Sequence, residues 1–435
     1  MNPLSPLSLD RRTFLGTTAA AALGTAIASG VQPGREKDAG KTLKIALIGC
    51  GGRGTGAASQ ALRADSNVEL VAFADIAPDQ IAKSEENLKR LPGVGEKVKV
   101  DDAHKFTGLD AVDKVLATDV DVVILTTPPG FRAEHFEKAV AANKHCFIEK
   151  PIGTDGPSVR RFIAAADESK RKGLGAQSGF CWRSKYAERE TQKRIRDGMI
   201  GEVRATYGTY LGNTPWVKPR QPGWTDLEYQ LRNWMYFTWL SGDHLVEQAI
   251  HTVDKMCWTF DDVDPVSATA IGGRVQRVEE EYGQVYDHFG VQYEYPGGAR
   301  GIIFCRQMQG CFNEVADHFL GTKGTVDQLS GRYNRITPFA GDRWKFDGDN
   351  NDMYQTEHDE FFASIRSGAP LNYAHKMAHS TMVGIMGRMA AYTGQTITWE
   401  DATASKESLR PEGELKWDMK LPTPPVAIPG RTKFA

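Results

Sequence analysis

Apolar positions along the chain fall into two rhythms. From Lys41 to about Gly179, short apolar runs alternate with stretches of helical period. Leu43–Ile48 reads as a strand, and a glycine cluster after it opens a helix near Gly54–Leu62. Val68–Ala74 is a second strand, followed by a helix that Pro78 can start and that runs to about Leu91. Lys97–Val100 is the expected third strand and Asp119–Thr126 holds the fourth. An amphipathic helix over Phe131–Ala142, a strand at His145–Ile148, a helix over Gly156–Lys172 and a strand at Leu174–Gly179 complete the series. Strands alternating with helices predict a parallel sheet covered on both faces.

After Phe180 the rhythm changes. Val203–Leu211, Val266–Ile271, Asp287–Tyr295, Arg300–Met308, Asn313–Gly321 and Thr325–Leu329 read as strands, several joined by glycine turns. Strands that follow one another without helices predict an antiparallel or mixed sheet. One helix is expected over His244–Trp258, and two more near Met353–Ser367 and His375–Tyr392. The division is therefore 41–180 for an α/β domain with a Rossmann-like parallel sheet, 181–402 for a second α/β domain, and 403–435 for a Pro-containing tail.

Composition narrows the possible functions. A chain of 435 residues has room for two domains, since single cores rarely exceed roughly 250–300 residues. A formal net charge of -2 gives no reason to expect nucleic acid or an anionic membrane as partner. No apolar run of about 18 residues occurs beyond the N-terminus, so no stable span is expected in the mature chain. The six cysteines form no CxxC and no zinc spacing, so no metal is expected. They read as buried thiols, with a Cys305–Cys311 bridge as the alternative in an oxidising compartment.

The N-terminus carries an address. Asp10-Arg11-Arg12-Thr13-Phe14-Leu15 precedes a weakly apolar stretch, Gly16 to Ile27, and Ala26-Ile27-Ala28 suits a small-residue cleavage site. This resembles a twin-arginine export signal, which makes the export machinery a partner and the periplasm, or another exported location, the destination. Residues 1–40 then comprise the signal and a polar linker.

Ile45-Ala46-Leu47-Ile48 leads into Gly49-Cys50-Gly51-Gly52-Arg53-Gly54, a G-x-G-x-x-G string. Gly49 permits the tight turn, Gly51 and Gly52 let the backbone approach a pyrophosphate, and Gly54 lets the helix pack on the strand. Asp75, 21 residues after Gly54 at the end of the second strand, is placed to accept hydrogen bonds from an adenosine ribose. A carboxylate there repels a 2′-phosphate and favours NAD over NADP. Arg53 is the counterweight, able to meet either that phosphate or the pyrophosphate.

Two further strings extend the argument. The fourth strand ends in Thr126-Thr127-Pro128-Pro129, with His135 shortly after, and the fifth in Glu149-Lys150-Pro151. A strand, Glu-Lys-Pro and then a new domain resembles the glucose–fructose oxidoreductase and inositol dehydrogenase family, Gfo/Idh/MocA. The resemblance runs from about Lys41 to about Asp401 and includes Gly321-Thr322-Lys323-Gly324-Thr325. It implies a second domain built on a large, mostly antiparallel open sheet that often serves subunit contact, hence a homo-oligomer. It also implies hydride transfer between NAD(P) and a hydroxyl-bearing carbon of a sugar, glycoside or cyclitol.

Members of this family show an acidic residue, three intervening residues and a histidine, often with Asp three positions on. Glu247, His251 and Asp254 match that pattern, with Glu where Asp is common. On one helix all three would share a face. Alcohol oxidation needs a proton acceptor, and an imidazole suits it near neutral pH. Lys150, at the end of a parallel strand, can stabilise the developing alkoxide. Either Lys150 or His251 could take the proton, Glu247 would orient substrate hydroxyls, and Asp254 would hold the imidazole. Thr126, Thr127, Pro128, His135, Glu149 and Lys150 are expected along the cofactor. Arg232, Asn233 and Trp234, in the aromatic-rich segment before the helix, are expected to join Glu247 and His251 at the substrate, where indoles stack on sugar C–H faces, with an aromatic core or a subunit interface as the alternative reading of that segment. Two alternatives stay open: a redox-neutral, glycosidase-type enzyme with tightly bound NAD, and a non-catalytic NAD- or sugar-binding protein.

Overall fold

The structure is a computed structural model and describes residues 40–434. The expected export signal lies outside the described residues. The N-terminal half is a six-stranded parallel sheet in the order β3-β2-β1-β4-β5-β6. Its strands are β1 (Leu43–Ile48), β2 (Val68–Asp75), β3 (Lys105–Thr107), β4 (Val122–Leu125), β5 (His145–Ile148) and β6 (Ala176–Ser178). Five helices intervene: α1 (Gly52–Ala64), α2 (Pro78–Lys89), α3 (Ala111–Leu116), α4 (Pro129–Ala141) and α5 (Gly156–Arg171). β4 and β5 are buried at every position, as inner strands covered on both faces must be. Along β1, Ala46 and Ile48 enter one core with Phe136 and Phe162 of α4 and α5. Ile45 and Leu47 enter the other, with Ala57 and Leu62 of α1.

The third strand differs from expectation. Lys97–Val100 contributes only a single bridge, Val98 to Leu70, whereas Lys105–Thr107 pairs with Phe73–Asp75. The Lys97 ammonium instead caps α1, bonding the carbonyls of Leu62 and Asp65 at 2.6 and 2.7 Å. A run so short has no register preference of its own, and the end of β2 takes the later segment.

The second half contributes α6 (Tyr186–Arg196), β7 (Val203–Gly212), α7 (Asp226–Arg232), α8 (Thr238–Ser241), α9 (His244–Glu247) and α10 (Ile250–Thr259). Then come β8 (Ser267–Gly273), β9 (His288–Glu294), β10 (Arg300–Gln307), β11 (Glu314–Gly321), β12 (Gly324–Leu329), β13 (Tyr333–Pro338) and β14 (Trp344–Lys345). The chain ends through α11 (Met353–Arg366), α12 (Ala374–Thr393), β15 (Ile397–Thr398) and α13 (Trp399–Ala404). The strands form a nine-stranded sheet, β14-β13-β12-β11-β7-β10-β9-β8-β15, antiparallel except where β7 meets β10. One face packs on α10 and α12 through Met256, Val291, Tyr293, Ile303 and Met386. The other is open, with Tyr207 and Phe304 each 40% exposed and Ile271 74%.

α11 returns to the first sheet. Phe361, Phe362 and Ile365 join the α1 side of its core, and Arg366 pairs with Asp65 at 2.7 Å. The expected helix over His244–Trp258 is broken at Gln248, where the Ala249 amide bonds the carbonyl of His244, five residues back. All six cysteines are free: Cys305 is buried and Cys311 exposed. Among the described residues no helix is long and apolar enough to cross a membrane.

Candidate active site

The glycine loop joins β1 to α1 as its sequence demands. Gly49 has φ +96°, a region that favours glycine, and a Cβ there would stand 2.7 Å from the Thr126 carbonyl carbon. A Cβ on Gly54 would lie 2.0 Å from the Gly49 oxygen. Thr126 ties the loop to β4, its hydroxyl donating to Gly49 O at 2.6 Å. Around Gly51 and Gly52, by contrast, no atom lies within 4 Å of a built Cβ. The N-terminus of the 13-residue α1 has no side-chain cap and no acidic residue in its first turn. Free amides at a helix N-terminus facing open space fit a pyrophosphate.

Asp75 accepts from the Cys50 amide at 2.7 Å and the Ala77 amide at 3.0 Å, one bond to each oxygen. Carboxylate oxygens have further lone pairs, so ribose hydroxyls can still be held. Arg53 turns the other way. Its guanidinium lies 3.2 Å from Glu149, bonds Gln60 at 2.5 Å and stacks on Tyr354. Glu149 follows β5, three strands from β2 and roughly 14 Å away at sheet spacing. Paired with Glu149, Arg53 points away from the ribose end at β2, where a 2′-phosphate would lie, while its place in the first turn of α1 keeps it beside the expected pyrophosphate.

Thr127 bonds His135 Nδ1 at 3.1 Å, and the His135 ring stacks on Phe131. Burial lowers His135 to about 4, so it is neutral and serves packing. Pro128 caps α4. Arg132 in α4 is buried and bonds the carbonyls of Lys150 and Pro151, the latter at 2.8 Å, fastening the strand end that carries the lysine.

Lys150 and Glu247 meet. The Lys150 ammonium lies 2.7 Å from the Glu247 carbonyl and 3.4 Å from its carboxylate, and both side chains are largely buried. His251 stands edge-on to Phe180, with its Nδ1 buried and unpartnered. Burial first, then the Lys150 and Lys255 ammonium groups, hold the imidazole well below the usual histidine range. It is neutral near pH 7, the form a proton acceptor must have. Tyr210 of β7, which sequence reading missed, is pushed up to about 12 by burial and the Glu247 charge.

Asp254 does not join them. Its carboxylate accepts from Arg183 at 2.9 and 3.0 Å and from Ser380 at 2.8 Å, so it does not hold the imidazole. The break at Gln248 separates Glu247 from the register of α10, and one helical face cannot carry all three. The substrate roles expected of Arg232 and Asn233 are taken up by structural partners. Arg232 pairs with Glu228 at 2.9 Å and Asp79 at 3.1 Å. Asn233 is fully buried, accepting from the Lys218 amide and donating to the Glu281 carbonyl. A short polar side chain at a helix end finds backbone partners more readily than a ligand. Trp234 packs edge-on to Trp216, which is 43% exposed. Lys255, four residues after His251, is buried against Asp317 and Trp182; its helical spacing was the available signal.

Two family models match this chain: one described as an oxidoreductase family with an NAD-binding Rossmann fold, over residues 43–177, and a GFO/IDH/MocA C-terminal domain, over residues 189–327. The chain belongs to the Gfo/Idh/MocA family of NAD-binding oxidoreductases. It is 26% identical over 341 residues to an inositol 2-dehydrogenase of Rhizobium meliloti, covering 76% of this chain and 91% of that one. It is 24% identical over 326 residues to a glycosyl hydrolase family 109 protein of Shewanella amazonensis, covering 69% and 67%. A solved aldose-aldose oxidoreductase from Caulobacter crescentus, complexed with glycerol, shares the fold at a TM-score of 0.65 and 20% identity, covering 82% of this chain and 100% of that one.

Proposed function

We propose that the protein moves a hydride between NAD and a hydroxyl-bearing carbon of a sugar, glycoside or cyclitol, using Lys150, His251 and Glu247. The observation that carries this reading is the Lys150–Glu247 contact with the neutral His251 beside it. That contact sits beyond the C-terminal end of β5, where ligands gather in parallel sheets. Bound NAD supplies the hydride acceptor. His251 takes the hydroxyl proton at its imidazole as the carbon loses hydride, a role that needs the neutral ring. The Lys150 ammonium donates to the same oxygen and stabilises its growing charge. Glu247 accepts from a neighbouring hydroxyl and keeps Lys150 aimed. Asp254, with Arg183 and Ser380, holds the helix and positions the ring only through the backbone.

The test is direct. Purified protein is denatured and the released nucleotide identified; native protein is then incubated with sugars, cyclitols and aryl glycosides. Nicotinamide reduction that disappears in Lys150→Ala and His251→Ala is the expected result. Equal turnover by both variants would sink the assignment. A redox-neutral reaction with retained NAD is the second reading, favoured by similarity to a protein named as a glycosyl hydrolase. It predicts glycoside cleavage without net change in NADH absorbance. Sugar binding without turnover would leave the non-catalytic alternative.

Export and assembly belong to the same proposal. Arg11 and Arg12 are read as a twin-arginine signal, so Arg11→Lys/Arg12→Lys should keep the protein in the cytoplasm on fractionation. The open face of the nine-stranded sheet, with Tyr207 stacked on His318 and edge-on to Phe304, is read as the homo-oligomer contact. Phe304→Asp should lower the mass measured by sedimentation. Residues 41–180 and 181–402 are assigned as the cofactor and substrate domains.

A further inference from the structure

The segments that follow β2 and β4 pack into one apolar cluster. Ile76 directly follows Asp75 at the end of β2, and Phe131 lies in the first turn of α4, so the two flank the expected ribose position. Each joins Leu227, Tyr229, Leu231, Trp239 and Leu240 of the α7–α8 segment. That segment is latched as well as packed. Arg232 at the end of α7 reaches Asp79 in the first turn of α2, while stacking on Trp224. Across the cleft, Phe131 meets Trp239 edge-on, and a Cβ on Gly130 would stand 2.2 Å from the Trp239 carbonyl oxygen.

The C-terminal tail holds this bridge from outside. Leu409, Leu415 and Leu421 pack into the same cluster. Gln230 donates to the Leu421 carbonyl at 2.7 Å, and the Leu421 amide donates to Asp226 at 3.2 Å. Arg410 pairs with Glu134 at 2.6 Å and lies over Phe131. The tail thus grips α7 and α4 together.

We propose that α7, latched by Arg232 to Asp79 and clamped by residues 409–421, closes the adenosine end of the site and retains the nucleotide between turnovers. The inference rests on the reading that this cleft binds NAD, and it identifies which residues set its exchange. Nucleotide leaves only when α7 lifts from the β2–α2 turn, so the rate of exchange reports the latch.

The experiment measures dissociation of NADH from the full mature chain by fluorescence, chasing with excess NAD. Wild type is expected to hold NADH through gel filtration. Arg232→Ala should release it up to about fivefold faster, the scale of one exposed ion pair, and Arg232→Lys should recover part of the difference. Release from wild type should quicken with ionic strength, and that dependence should shrink in Arg232→Ala, which a merely structural arginine would not produce. Removal of residues 406–435 should speed release by about tenfold or more, because three leucines then leave the apolar cluster. Leu421→Asp tests the same clamp should the truncated chain not fold. Equal dissociation rates in wild type, Arg232→Ala and Leu421→Asp would overturn the latch. Absence of any NADH binding by wild type would overturn the cofactor reading beneath it.

Discussion

The two ends of the cleft work by opposite means. At the glycine loop, backbone amides and missing side chains prepare the site: Gly49 and Gly54 are packed too tightly for a Cβ, while Gly51 and Gly52 front open space. At the far end, charged side chains after β5 and at the α9–α10 break carry the proposed chemistry, buried enough to lower the proton affinity of His251. One end is sensitive to added atoms and the other to altered charge. Shape recognition tolerates little steric change, whereas the chemical end should keep its fold while losing rate.

That contrast can be tested from the largest effect downward. Lys150→Ala or His251→Ala should lower kcat by about 10²–10⁴-fold, with NAD binding by calorimetry little changed. Loss of binding in both would mean the two ends are not separable. Gly54→Val should do the reverse, abolishing NAD binding and costing about 3 kcal/mol or less in urea melts, because α1 must move off β1.

Acid should reveal the buried histidines. The native His135 value of about 4 lies below the unfolded value near 6.5, so the unfolded chain takes up the proton first. Stability is complete above pH 6.5 and falls toward pH 4, by about 3 kcal/mol for this group. His251 and His358 shift in the same direction and add to the loss. Denaturant midpoints that stay flat across that range would contradict their burial. For the same reason the acid limb of kcat/KM for alcohol oxidation should lie below pH 6.5. The smallest effect is expected at Asp75: Asp75→Asn should narrow the preference for NAD over NADP by about tenfold, the scale of one charge-assisted hydrogen bond, read from the ratio of kcat/KM values.

Local pattern reached most of the cofactor end. The strand, glycine string, helix and acidic residue at the next strand end are neighbours in sequence, and their spacing carries their geometry. Glu-Lys-Pro was equally legible because it ends an apolar strand. Misplacement came wherever partners lie far apart. Asp254 is committed to Arg183, 71 positions away, and Arg232 to Asp79, 153 positions away. The third strand slipped because a four-residue run has too little alternation to fix its pairing.

The sequence by itself determined the alternation of β and α units, the turn that only glycine can make at Gly49, and the residue types able to exchange a proton with an alcohol. Each follows from backbone stereochemistry or side-chain chemistry within a few residues. Tertiary structure alone brought Lys150 against Glu247, 97 residues apart, and broke the helix that was to align Glu247 with His251 and Asp254. It also made His251 neutral and folded the tail over α7. Proton affinity depends on burial and on charges brought close, and those are set by how two sheets and their helices pack.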